Sequence, residues 1–227
     1  MSGQPNVTDL QGLYANRFSE RDRLQKEVLW RTVCEHFLQL YIPRHAAVLD
    51  LGAGYCDFLN HIKASRRVAI DLNEDTRRFA GPGVEVHQMG LERMGEAVEA
   101  GSMDVVFASN VFEHLRGPDS LLQILAASRD VLRPGGIIMI LQPNIRLVGA
   151  SFWDFVDHTL PLTEKGMEEA LTMSGFEMVE RRARFLPYTT KGRFPRSSLL
   201  LRVYLAMRPL QWLLGKQMFL VARRPMG

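Results

Sequence analysis

The chain has 227 residues, 46% hydrophobic and 23% charged, enough to bury the core of one domain of about 150–200 residues with extensions. Two cysteines without CxxC or His-rich spacing indicate neither a disulfide framework nor a zinc motif and fit a reducing cytoplasm, while a polar N-terminus and the lack of any apolar run of ~18 residues leave neither secretion nor membrane insertion expected. The net charge of +3 hides an asymmetry, since residues 1–180 carry 17 Lys+Arg against 25 Asp+Glu and residues 181–227 carry 11 Lys+Arg and no acid, a pattern that suits either an anionic partner or a solvated basic face.

Over residues 20–42, Leu24, Val28, Leu29, Val33 and Phe37 recur at helical spacing until Pro43 ends the pattern. This predicts an amphipathic helix within an N-terminal extension over 1–45. Strand and helix signals then alternate. Strands are expected at 47–51, 68–71, 84–87, 103–109 and 136–141, and helices at 55–64, 74–80 and 120–132, the last closed by Pro134-Gly135-Gly136. A helix at 163–174 and strands at 176–185 and 217–222 complete the series. The alternation predicts an α/β domain over 46–227, a doubly wound and mostly parallel seven-stranded sheet.

Residues 186–215 interrupt that rhythm with Pro187, Pro195 and Pro209 around SSLLLRVYLAMRPLQWLL. The segment is too charged to span a bilayer and too apolar for a free linker. It is read as a cap over an active site. A surface helix dipping into a membrane leaflet, flanked by Arg196, Arg202 and Arg208, is the alternative and makes peripheral membrane contact conceivable.

The stretch VLDLGAGYCDFL (48–59) runs from an apolar strand into a glycine turn. Gly52 and Gly54 let the backbone approach a ligand closely, whether dinucleotide, phosphate or another small cofactor. A dinucleotide fingerprint would carry its third glycine where Asp57 stands, and the Lys-Ser/Thr ending of a phosphate loop is missing. Asp50, at the carboxyl end of the strand, repels pyrophosphate and suits an ammonium. S-adenosylmethionine (SAM), with its α-ammonium and sulfonium, is the electrostatic match. Asp71 ends the second strand about 20 residues on, where an acid accepts from ribose hydroxyls. A helix N-cap is its alternative role.

Asp50-Leu-Gly52-Ala-Gly54, Ala69-Ile-Asp71-Leu-Asn73, DVVFASNVFEHL (104–115) and Leu132-Arg-Pro134-Gly135-Gly136 together resemble the ordered motifs of class I SAM-dependent methyltransferases over residues 45–142. Tyr14-Ala-Asn-Arg17-Phe, FWDFVDHTLPLT, FLPYTTKGRFP and GKQMFLVAR resemble a bacterial branch of that family associated with polysaccharide or secondary-metabolite pathways. The resemblance implies that Asp50, Gly52, Ala53 and Gly54 flank the methionine part of SAM and that Asp71, Leu72 and Asn73 serve the ribose. It places Gln88 and Met89 near the adenine, Asn110 and Val111 near the sulfonium, and Tyr14 and Arg17 as a closure from the N-terminal segment. Cys56 stands where the family pattern has glycine, and its side chain is expected to narrow the floor under the methionine moiety.

Methyl transfer is an in-line displacement to which near-attack geometry contributes much of the rate, and a hydroxyl acceptor is helped by a base. His114, after the fourth strand, and His158, beside Asp157 in the loop after the fifth, are the candidate catalytic groups. Their alternative is to fasten loops. Trp153, Tyr188, Lys191 and Arg193 are candidates for binding a small acceptor bearing phosphate or carboxylate. No metal-ligand cluster is visible in the spacing. The expected activity is methyl transfer to a hydroxyl of a small, sugar-containing or anionic acceptor by a cytoplasmic monomer or homodimer that does not bind nucleic acid. Nucleic-acid methylation and a non-catalytic scaffold are the competing readings.

Overall fold

β1 (Ala47–Leu51) lies at the centre of a sheet whose neighbours are fixed by main-chain pairing, in a computed structural model that describes residues 20–188 and 197–226, with side chains from Lys26 onward. It pairs in parallel with β2 (Arg66–Asp71) on one side and β4 (Met103–Ser109) on the other. β3 (Val84–Gln88) lies beyond β2. β5 (Leu132–Pro143) lies beyond β4, followed by the antiparallel β7 (Gln217–Arg223) and then β6 (Glu177–Arg182). The seven-stranded, mostly parallel sheet is the predicted one. Chain order reverses between the neighbours of β1, and at such a switch point a crevice opens at the carboxyl ends of the strands.

Alternation along the strands builds a core on each face. On one, Leu49, Val68, Val106 and Ile140 meet Leu121 and Leu125 of α3 (Pro118–Val131) and Met167 and Leu171 of α5 (Glu164–Met173). On the other, Val48, Val105, Phe107 and Phe219 meet Val33 and Phe37 of α1 (Glu20–His36) and its sequel, with Leu201 and Tyr204 of α6 (Ser198–Ala206). Burying an aromatic such as Phe107 contributes roughly 2–3 kcal/mol. Thr163 caps α5 by accepting from Gly166 N, and Pro118 at the first turn of α3 starts that helix two residues before the predicted onset.

Two expectations fail for local reasons. Residues 55–61 form turns and 62–64 continue without regular structure, in place of a helix, because Gly54 and Cys56 both take positive φ (52° and 57°), outside the right-handed helical basin. The Pro134-Gly135-Gly136 triplet does not close α3 from outside the sheet. It lies inside β5, which begins at Leu132 and bends where its register with β4 shifts between Met103 and Val105.

The segment from 186 to 215 holds α6 and α7 (Arg208–Leu214). α6 packs on α1, and Gln211 of α7 accepts from Arg182 of β6. Short α2 (Thr76–Phe79) and α4 (Ile145–Val148) complete the α-helices among the described residues. No helix among the described residues is long and apolar enough to cross a membrane.

Candidate active site

The crevice at the switch point is a cleft of ≈ 320 Å³. One wall is the glycine turn. Gly52 N donates to Ile70 O at 2.8 Å, tying the turn to β2. At Gly52 (φ 67°) a Cβ would sit 2.5 Å from Val111 Cγ2, so the position excludes any side chain on both conformation and space. Asp71 clamps the loop: its Oδ2 accepts from Gly54 N and its Oδ1 from Asn73 N, both at 2.7 Å.

Asp50 lies at the base of this wall, 3% exposed and lining the cleft. Burial, followed by the charges of Asp71 and Asp57, pushes its carboxyl well above the usual range. The neighbouring cation, Lys26, bonds Asp57 at 2.9 Å. A buried carboxylate without a counter-charge is costly. A cationic ligand in the cleft removes that cost, so the donor set fits SAM.

The facing wall is assembled from three loops. Asn110, left-handed at φ 49°, follows β4 and donates its N–H to Leu141 O at 2.9 Å. Glu113 and His114 come next in a short 3-10 turn. Thr159 N and Leu160 N donate to Glu113 O at 2.8 and 3.0 Å, which docks the loop after α4 onto that turn. His158 is thereby held between Phe152 and Phe155, at ring distances of 4.7 and 4.9 Å, and lies 5.0 Å from the His114 ring. His158 Nδ1 is 2.9 Å from Phe152 O, and His114 Nδ1 is 3.1 Å from Asp157 O and 3.4 Å from its Oδ2.

Glu113 is 2% exposed, and its Oε2 is buried without a hydrogen-bond partner. Burial, with Asp157 adding to it and a main-chain hydrogen bond opposing it, pushes its carboxyl up to about 8. Glu113, His114 and His158 each place one ligand atom within 4.8 Å of the others.

The cleft is thus lined by Asp50, Gly52, Ala53, Gly54, Asn73 and Asn110 from the expected cofactor set, and by His114, His158 and Tyr188 from the expected acceptor set. Asp71 acts from behind the loop. Several expected residues do not line the cleft. Val111 packs against Gly52 and the core, and Met89 packs into the same core. Leu72 is 61% exposed, and Gln88 Nε2 reaches Leu72 O at 3.5 Å at the carboxyl ends of β2 and β3. Trp153 is 58% exposed with its ring against Phe152, and Asp157 backs His114.

Cys56 corrects another expectation. It is fully buried with Sγ 3.8 Å from Thr76 O and does not line the cleft, so it leaves the floor unchanged. Its left-handed backbone explains why glycine suits that position. Of the segment expected as a cap, Leu186 and Tyr188 line the cleft, whereas α6 and α7 contribute no lining residue. Tyr14, Arg17, Lys191 and Arg193 lie outside the described residues.

Sequence reasoning missed Lys26, Leu29, Trp30 and Val33 of α1, which line the cleft. Their i, i+3, i+4, i+7 spacing was the available signal. It also missed Glu113, which was visible only as the neighbour of His114.

A methyltransferase-domain family model matches residues 22–181, more than half of the chain. A probable methyltransferase, ltbC, of Aspergillus luteorubrus is 28% identical over 118 residues, 45% of this chain and 41% of its own length, so the chain spans well under half of that curated relative. Among solved structures, a SAM-dependent methyltransferase from Archaeoglobus fulgidus superposes with a TM-score of 0.64 at 20% identity, covering 87% of this chain and 94% of that one. A putative methyltransferase complexed with the Trm112 activator of Haloferax volcanii gives 0.65 at 15% identity, covering 90% and 94%. At these identities the superpositions establish the fold.

Proposed function

The chain belongs to the methyltransferase-domain family, with SAM as cofactor, and from that premise we propose that it methylates a hydroxyl of a small, sugar-containing or anionic acceptor held in the cleft. The observation that carries the reading is the buried Asp50 carboxyl at a glycine turn, which forms no ion pair with a Lys or Arg among the described residues. When bound, SAM supplies an electrophilic methyl group on a positively charged sulfur.

In this reading Asp50 meets the α-ammonium, and the main chain of Gly52 to Gly54 passes beneath the methionine part. Asp71 retains lone pairs beyond those given to Gly54 and Asn73, and offers them to the ribose. Asn110 borders the sulfonium side. The acceptor hydroxyl faces the opposite wall, where its proton leaves at the Glu113, His114 and His158 end. Tyr188 and the edge of Phe155 border the acceptor. Lys191 and Arg193, with the acid-free charge of residues 181–227, recruit its anionic group.

The test is incubation with methyl-labelled SAM and a panel of nucleotide sugars, glycosides and phenolics, with mass-spectrometric location of the label. A methyl ether on one of these classes supports the reading. Label found only on nitrogen or carbon acceptors refutes O-methylation, and failure to bind S-adenosylhomocysteine refutes the cofactor assignment.

A further inference from the structure

Glu113 and His158 come from loops after different strands, yet converge with His114 on one spot of the acceptor wall, and the sequence spacing of 44 residues between the two histidines concealed this. We propose that Glu113, His114 and His158 form a divalent-cation site of the two-imidazole, one-carboxylate kind, which positions the acceptor oxygen and makes it acidic. The inference rests on the methyltransferase reading above and gives that end of the cleft its chemical task.

Four observations support it. One ligand atom from each residue lies within 4.8 Å of the others, close enough for small side-chain rotations to bring all three onto one ion. Each imidazole is oriented from behind, with Nδ1 toward a main-chain carbonyl (Phe152 O at 2.9 Å, Asp157 O at 3.1 Å). This arrangement places the proton on Nδ1 and the lone pair on Nε2, the usual outer-shell support of a metal-binding histidine. The Asp157 carboxylate adds to it at 3.4 Å from His114 Nδ1. Finally, Glu113 buries Oε2 without a partner in a part of the fold where no described Lys or Arg pairs with it, and a cation supplies the missing charge.

The donor set selects the ion. Two imidazoles and one carboxylate without a thiolate suit Zn²⁺, Mn²⁺, Co²⁺ or Fe²⁺, whereas Mg²⁺ and Ca²⁺ favour all-oxygen shells. Three protein ligands leave coordination positions open toward the cleft, and an acceptor hydroxyl filling one of them loses its proton more readily. That proton passes to solvent, the oxygen forms the new C–O bond, and the C–S bond breaks with its electron pair retained by sulfur.

The test uses the full chain, free of metal and of any affinity tag. Zn²⁺ is titrated by calorimetry, and Co²⁺ by its visible absorption, which reports imidazole and carboxylate ligation. One equivalent of each is expected per chain. Glu113→Gln preserves shape, and His158→Phe preserves the stack with Phe152 and Phe155; each is expected to weaken uptake by about tenfold or more. His114→Gln serves as a third variant should either of these fail to fold. S-adenosylhomocysteine binding by the same preparations, unchanged by the substitutions, shows that the fold and the cofactor wall are intact.

No stoichiometric uptake, or uptake that the variants leave unaltered, overturns the site. Loss of S-adenosylhomocysteine binding by the unsubstituted chain would instead count against the methyltransferase reading, so the two failures are distinct.

Discussion

The wall proposed for the cofactor draws most of its polar groups from one continuous stretch, Asp50 to Asn73, in which two parallel strands pair through main-chain bonds and the Asp71 carboxylate ties the turn between them. The wall proposed for the acceptor collects Glu113, His114, Phe155, His158, Leu186 and Tyr188 from three loops, which meet through contacts such as Thr159 N to Glu113 O. Groups held by a sheet and its first turn keep their geometry when distant side chains change. Groups held by loop docking depend on the packing beneath them, and loop replacement can alter an acceptor while leaving a cofactor site in place.

Damage to one wall should therefore spare the other. Phe152 is fully buried under His158, so Phe152→Ala is expected to cost about 3–5 kcal/mol of stability. In chemical denaturation the midpoint falls, and below it turnover drops far more than S-adenosylhomocysteine affinity; a parallel loss of both would erase the contrast between walls. Gly52→Ala attacks the other side, through the 2.5 Å approach to Val111 Cγ2 and the positive φ, at about 2–3 kcal/mol. Its signature is cofactor affinity reduced by about a hundredfold, measured by calorimetry. Adding Val111→Ala should restore only part of that, because the backbone strain remains.

Smaller effects sharpen the same division. Thr163→Ala removes the cap on Gly166 N and is expected to lower stability by about 1 kcal/mol without changing cofactor affinity. Trp212, 71% exposed on α7 and away from the cleft lining, is the control. Trp212→Ser should shift stability by no more than about 0.5 kcal/mol and leave both walls working.

The same division explains what could be read from the chain alone. Strand β4 was predicted with its observed ends because MDVVFAS is apolar but for Asp104, and Gly52 and Gly54 were legible because the turn after β1 takes positive φ at both. The turns at 55–61 were hidden by helix-compatible apolar spacing, overridden by left-handed Cys56, which nothing in its residue type announces. The meeting of Glu113 with His158 depends on how one loop docks on another, and no local pattern encodes that. The same holds for Val111, whose side chain seals Gly52 from behind while its neighbour Asn110 faces the cleft.

The central claim is that Asp50 offers a buried carboxyl that gives up its proton to meet the ammonium of a nucleoside ligand, and its acid chemistry fixes the signs. A carboxyl raised in the folded state keeps its proton where the unfolded chain has lost it, so its contribution to stability declines as pH rises above the ordinary value of 3.8. Asp50→Asn should flatten that decline and hold or raise the melting temperature. The most direct measurement is calorimetric titration of S-adenosylhomocysteine, whose α-ammonium remains, into both proteins in buffers of different ionisation enthalpy. The account predicts proton release on binding by the parent chain, its loss in Asp50→Asn, and affinity reduced by about tenfold or more; equal affinities with the same proton release would contradict it.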